Sequence, residues 1–164
     1  PQPDLICYIT ESRRSKIEAL SFCGAQASGK GSFFLERFCK SHILSSLDLM
    51  RTRRREGLLL ETALKAGQRF VVDNTNPTRE DRRRYVEAAR SYHFKPRCYY
   101  FSSVYEELAE RNSRRTGRFR VPAAAIKATL AKMETPSLDE GFEQIYQVSL
   151  SDGHFIVSEW NNEV

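Results

Sequence analysis

Long apolar runs are missing from this sequence. No stretch approaches the roughly 18 residues that cross a bilayer, so a membrane-embedded chain is not expected. A signal peptide is not expected either, because the apolar stretch Leu5 to Ile9 is too short and lies beside Asp4. Cysteine is sparse and shows no C-x-x-C spacing. Cys7, Cys23, Cys39 and Cys98 stand among apolar neighbours and read as core thiols of a reducing, cytoplasmic setting, not as a zinc site or a disulfide framework. The three histidines, His42, His93 and His154, are scattered and suggest no metal triad. No repeat or low-complexity segment interrupts the chain. What remains is 164 residues, 40% hydrophobic, which falls in the range of one compact domain with a real core.

Positive charge is in excess, at a formal +5, and it is unevenly placed. Arg51, Arg53, Arg54 and Arg55 form one cluster; Arg79, Arg82, Arg83 and Arg84 form a second; Arg111, Arg114, Arg115, Arg118 and Arg120 form a third. The planar guanidinium fork suits phosphate better than a lysine ammonium does. Most of the second cluster reads as a solvated helix face. The first and third read as surfaces for an acidic partner, a nucleotide or a nucleic acid.

Three of the eight glycines fall within Gly24-Ala25-Gln26-Ala27-Ser28-Gly29-Lys30-Gly31-Ser32. The strand-like Ile17 to Cys23 precedes this stretch, and a helical pattern from Ser32 to Lys40 follows it. Strand, G-x-x-x-x-G-K, then helix is the context of a phosphate-binding loop, whose inward N–H groups and helix N-terminus cradle anions. Lys30 is then placed to reach the outer phosphates of a nucleoside triphosphate. The residue after the lysine is normally Ser or Thr, whose hydroxyl ligates Mg²⁺; here it is Gly31. Ser32 is rotated roughly 100° around the helix and does not substitute. A weakened metal site is expected, because Mg²⁺ accepts water in its shell.

Two further strands end on acids. His42 to Leu47 leads to Asp48, with Arg51 three residues on, and Arg69 to Val72 leads to Asp73. Working residues of open α/β sheets sit at the carboxyl ends of strands. Asp48 reads either as a base for an attacking hydroxyl, with Arg51 on an acceptor phosphate, or as a helix N-cap with Arg51 on the surface. On the residues alone the cap is the better reading. Asp73 follows the Walker B pattern of a metal-supporting acid. Between these strands Gly57 to Gly67 reads as an amphipathic helix, and Thr78 and Asp81 open another that runs to about Tyr92.

Pro96 to Phe101 is a fourth strand. The helix from Tyr105 is expected to turn Val104 and Leu108 inward and to stack Arg111 and Arg115 on one face. With the Gly117 hinge it makes a phosphate-covering arginine lid over about residues 105–121. Pro122 opens a last helix with Ile126, Leu130 and Met133 inward, and Ile145 to Leu150 is a fifth strand. His154 to Val157 is a candidate extra strand in a tail without evident chemistry. Four or five strands alternating with helices imply an α/β fold, a parallel sheet flanked by helices. Residues 1–16, with a candidate edge strand at Leu5 to Thr10, read as an N-terminal extension or a join to an upstream domain; residues 17–164 carry the fold.

From about residue 19 to 150 the chain resembles the P-loop kinase domain of the polynucleotide 5′-hydroxyl kinase family, including its single-domain, AAA-type ATP-binding relatives in bacteria. The carriers are the loop Gly24 to Ser32, Leu47-Asp48-Leu49-Met50-Arg51, Val72-Asp73-Asn74-Thr75-Asn76-Pro77, Glu110-Arg111-Asn112-Ser113-Arg114-Arg115 and Pro136 to Phe142. The resemblance implies a P-loop kinase fold and ATP with Mg²⁺ as cofactors. It implies transfer of phosphate to 5′-OH ends of DNA or RNA, in company with repair enzymes. Lys30 and the loop amides would bind ATP, and Asp48 would be the base. Arg51 would hold the acceptor, and Asp73, with the Asn74-Thr75-Asn76 run, would support metal and acceptor. Arg115, helped by Arg111, would stabilise the transferred phosphoryl group. Two other functions stay open: a small-molecule or nucleoside kinase, and a nucleotide-binding module that Gly31 has left with weak or no catalysis.

Overall fold

In a computed structural model, residues 17–160 are described, so the expected edge strand at Leu5 to Thr10 and the thiol of Cys7 lie outside the described residues. Six strands form one sheet in the order β2-β3-β1-β4-β5-β6. They are β1 (Glu18–Cys23), β2 (Ile43–Ser45), β3 (Phe70–Asp73), β4 (Lys95–Phe101), β5 (Gln144–Ser151) and β6 (His154–Glu159). The first five run parallel and β6 turns back antiparallel on β5. The tail thus adds a sixth strand to the four or five expected.

β1 is central and covered on both faces, as a parallel strand flanked by helices must be. Alternation sends Ala19 into a cluster with Leu60, Leu64, Phe70 and Tyr85, while Leu20 and Phe22 join Phe33, Phe34, Val71 and Phe101 on the other face. The first face is closed by α3 (Arg53–Ala66) and α4 (Arg79–Ser91), the second by α1 (Lys30–Arg37). Between β2 and α3 sits the one-turn α2 (Leu47–Met50), and α5 (Tyr105–Ser113) with α6 (Ala123–Lys132) packs through Leu108 and Ile126. Among the described residues no helix is long and apolar enough to cross a membrane.

Local signals set most boundaries. Thr78 and Asp81 form a full capping box on α4, and Gly67 closes α3 in the left-handed conformation at φ 68°. α3 starts earlier than Gly57, because the Thr52 hydroxyl accepts the Arg55 N–H and makes Thr52 the cap. α1 begins at Lys30 and ends at Arg37. Val104 is exposed, not inward, because it is the N-cap of α5, while Leu108 and Asn112 are the buried residues of that helix. Cys23 and Cys98 are buried, and burial pushes the Cys23 thiol up to about 11. Cys39 is exposed on the turn after α1, so it is not a core thiol.

Arg82 departs furthest from the expected solvated face, being fully buried. Its guanidinium makes a two-bond contact with Glu140 at 2.7 and 2.8 Å. The same group donates to the carbonyls of Asn76, Pro77 and Glu134 at 3.1, 3.2 and 3.0 Å. It therefore clamps the segment after β3 to the segment after α6. Removing one partner of a buried pair strands the other charge, at about 3–5 kcal/mol. Glu140→Ala is accordingly expected to lower unfolding stability by about that amount, read from urea denaturation.

Candidate active site

The stretch from Gly24 to Ser32 is a cradle whose donors are left open. Gly24 is required by packing: a Cβ there would lie 2.7 Å from Cβ of Phe101. Its N–H donates to the carbonyl of Thr75 at 3.0 Å, which ties the loop to the end of β3. Ala27 and Gly29 take left-handed conformations, φ 64° and 94°, and these curl the loop. α1 has no side-chain cap and no acid in its first turn, so its leading N–H groups are free for an anion. The Gln26 Oε1 is buried without a partner.

Lys30 plugs this cradle. Its ammonium is buried and donates to the carbonyls of Gly24 and Ala25 at 2.8 and 2.9 Å and to the Ser28 hydroxyl at 3.4 Å. Burial lowers its pKa, while the charges of Asp73 and Asp48 raise it and that of Arg115 lowers it further. Asp73 answers the same set. Burial raises its pKa and Asp48 adds to the rise, whereas Lys30 and Arg115 lower it. The charges of Asp48 and Arg115 thus reach both Lys30 and Asp73, at or beyond the carboxyl ends of β1 and β3.

Asp48 is exposed in the first turn of α2. It is not the cap: the Ser46 hydroxyl accepts the Leu49 N–H and takes that role. The carboxylate is therefore not tied up in capping the helix. Arg51 ends α2 in the left-handed conformation, φ 65°, with its residue exposed. Such a backbone is uncommon for a side-chain-bearing residue and concentrates at functional sites.

Gly31 is exposed, and a Cβ there would lie 3.9 Å from Oδ2 of Asp73. The missing hydroxyl would therefore stand against the Asp73 carboxylate. Among the described residues no group of three or more His, Cys, Asp or Glu is arranged to hold a metal. One or two carboxylates are what Mg²⁺ takes from protein when phosphates and water fill the rest, and Asp73 fits that habit.

A sequence model of the AAA domain matches residues 20–136. The chain belongs to the AAA domain family. Within it, the chain is 29% identical over 105 residues to the bifunctional polynucleotide phosphatase/kinase of Schizosaccharomyces pombe, a match covering 62% of this chain. It spans only 26% of that protein's length. The fold is shared with Chaetomium thermophilum Kti12, solved with ADP-AlF₃, at TM-score 0.61 and 13% identity over 82% of this chain and 90% of that one. It is shared also with a gluconokinase from Sinorhizobium meliloti 1021, at TM-score 0.55 and 18% identity over 80% and 82%. The Gly24 to Ser32 loop lies within the matched AAA domain, on the α/β frame shared with these structures.

The remaining residues of the domain divide between the site and its supports. Arg115 carries charge to Lys30 and Asp73 and donates to the carbonyl of Phe119 at 3.4 Å. It does not share a helix face with Arg111, because α5 stops at Ser113. The cause is Asn112, whose amide both donates to the Val121 carbonyl and accepts the Val121 N–H, at 2.8 and 3.0 Å, and so folds the chain back. Gly117 lies in a short 3-10 turn, Gly117–Phe119, inside this closed loop. Arg111 bonds Ser103 and Glu107, and its Nη1 is buried without a partner. Of the 74–76 run, Thr75 holds Gly24; the Asn76 amide donates to the carbonyl of Phe22 at 2.8 Å, and Asn76 takes φ 43°. Asn74 is bonded on both sides of its amide. Phe155 of β6 was invisible from the sequence: its ring meets the site of a Gly29 Cβ at 3.1 Å and packs 5.1 Å from Phe33. The sequence signal was the short apolar run Phe155 to Val157 in the candidate strand His154 to Val157.

Gly24→Ala forces overpacking and is expected to lower stability by about 1–3 kcal/mol. Gly31→Ser places its Cβ at ordinary contact distance from Asp73 and is expected to stay within about 0.5 kcal/mol of the parent. Parallel urea melts distinguish the two.

Proposed function

We propose that this domain transfers the γ-phosphoryl group of ATP to the 5′-hydroxyl end of a DNA or RNA strand. The observation that carries the reading is a phosphate-type loop with Lys30 buried in it, whose ammonium and the Asp73 carboxylate both feel the charges of Asp48 and Arg115. The likeness to a polynucleotide phosphatase/kinase supports the choice of acceptor.

The loop amides of Gly24 to Ser32 hold the phosphates, and Lys30 leaves its loop carbonyls for the outer ones. Asp48 accepts the proton of the attacking hydroxyl. Arg51 grips the acceptor's phosphate, and Arg54 and Arg55, exposed on α3, extend the basic surface along the strand. Asp73 is the residue to hold Mg²⁺ or its water, and Mg²⁺ when bound neutralises phosphate charge. Arg115, with Arg111 behind it, offsets the charge of the group in transit. Asn74 and Asn76 border the acceptor side as supports. Other end-healing enzymes or domains act beside this one. Gly31 favours a second reading, a module that binds nucleotide without transferring phosphate.

The test is transfer of labelled γ-phosphate from ATP with Mg²⁺ to a 5′-OH oligonucleotide, with a 5′-phosphorylated strand, a nucleoside and small polyols as controls. Label on the 5′-OH strand alone, falling steeply with added salt, is expected. Label on a polyol or nucleoside alone would overturn the acceptor. No label beside measurable ATP binding would favour the second reading. Asp48→Ala is expected to abolish transfer with ATP binding kept, and Gly31→Ser to raise the Mg²⁺-dependent rate.

A further inference from the structure

Glu56 lies one turn into α3 and is buried at 2% exposure, yet it is not part of an apolar cluster. Its Oε2 accepts from Arg53 Nη1 at 2.9 Å. Its Oε1 accepts from Asn74 Nδ2 at 2.6 Å and from the Tyr85 hydroxyl at 3.1 Å. The Tyr85 oxygen in turn accepts from Arg53 at 2.6 Å and from Asn74 at 3.1 Å. Burial and the neighbouring Glu56 charge push Tyr85 up to about 12, so its hydroxyl stays protonated and donating. Arg53 of the first basic cluster is thus engaged within the protein, unlike its neighbours.

The network has one outlet. Asn74 directs its NH₂ at the carboxylate, so its Oδ1 faces the other way and accepts the Leu47 N–H at 2.9 Å. Leu47 is the first residue of α2, where an amide has no partner within the helix. Asp48 is the next residue. A carboxylate accepts but never donates, so it permits only one orientation of the Asn74 amide. The chain of bonds Glu56–Asn74–Leu47 therefore fixes the short helix that carries Asp48 and Arg51.

We propose that Glu56 is a positioning residue for the acceptor half of the site, acting through Asn74 on α2. This rests on the phosphotransfer reading of Asp48. The nucleotide half is held separately, by Thr75 on Gly24 and by the loop's own contacts with Lys30. Loss of Glu56 should therefore be felt on one side of the reaction only.

Two measurements on the same variants test it. In NMR hydrogen exchange, Glu56→Ala should strip protection from the Leu47 amide while the Gly24 amide keeps its own. In kinetics with ATP, Mg²⁺ and a 5′-OH oligonucleotide, Glu56→Ala should lower kcat by about 10²-fold, the scale of an ångström-level misplacement, with KM for ATP unchanged. Glu56→Gln, whose carbonyl still accepts from Asn74, should recover most of the rate. Asn74→Ala should match Glu56→Ala, and the double variant should be no slower than either single one, as for residues acting as a unit. Unchanged Leu47 protection, multiplying losses in the double variant, or a KM for ATP rising in step would overturn the proposal. If Glu56→Ala does not fold, Glu56→Gln and Asn74→Ala carry the same comparison. If the oligonucleotide is not the acceptor, the exchange result still decides whether Glu56 orders the Leu47 amide, apart from the fate of the acceptor reading.

Discussion

A lysine ammonium buried in its own loop is the constraint on which this structure depends. Lys30 is costly to desolvate, and the loop offsets that cost by turning the carbonyls of Gly24 and Ala25 and the hydroxyl of Ser28 toward it. That arrangement requires the curl at Ala27 and Gly29 and the tight seat of Gly24 on Phe101. It also requires a negative charge nearby, and Asp73 supplies it from the adjacent strand. Burial suits neither charge alone, and each offsets part of the cost to the other. Strained electrostatics of this kind concentrate at functional sites.

The supports around this centre are made of polar side chains that work as rigid spacers. Asn76, Asn112 and Asn74 each use an amide to fix a backbone reversal or a helix start. Arg82 clamps two loops, and Glu56 orients Asn74. Asn74 and Asn76 directly follow β3, while Glu56, Arg82 and Asn112 reach their partners from helices, supplying bonds where backbone groups need them. Buried hydrogen-bond networks specify geometry as much as they stabilise. The β5–β6 hairpin adds an apolar support, laying Phe155 against Gly29.

Much of the frame was legible because its signals are local. The loop motif, the capping box at Thr78 and the acids at the ends of β2 and β3 each lie within a few residues of the structure they determine. Placement of Asp48 near Asp73 then follows from parallel strands in the order β2-β3-β1. The misreadings share one cause. Arg82 reads as part of a charged helix face, because nothing near it in sequence announces Glu140 as partner. The end of α5 at Ser113 is decided by Val121, eight residues further on, and this separated Arg115 from Arg111. Phe155 gained its place over the loop only through the sixth strand.

The most direct measurement of the account is calorimetric titration of ATP with Mg²⁺ into the wild-type chain and into Lys30→Met, with folding of both checked by circular dichroism. The account predicts saturable one-to-one binding to the wild type and its loss in a folded Lys30→Met. Equal affinity of the two would mean that phosphate does not bind where Lys30 lies, and would contradict the central claim.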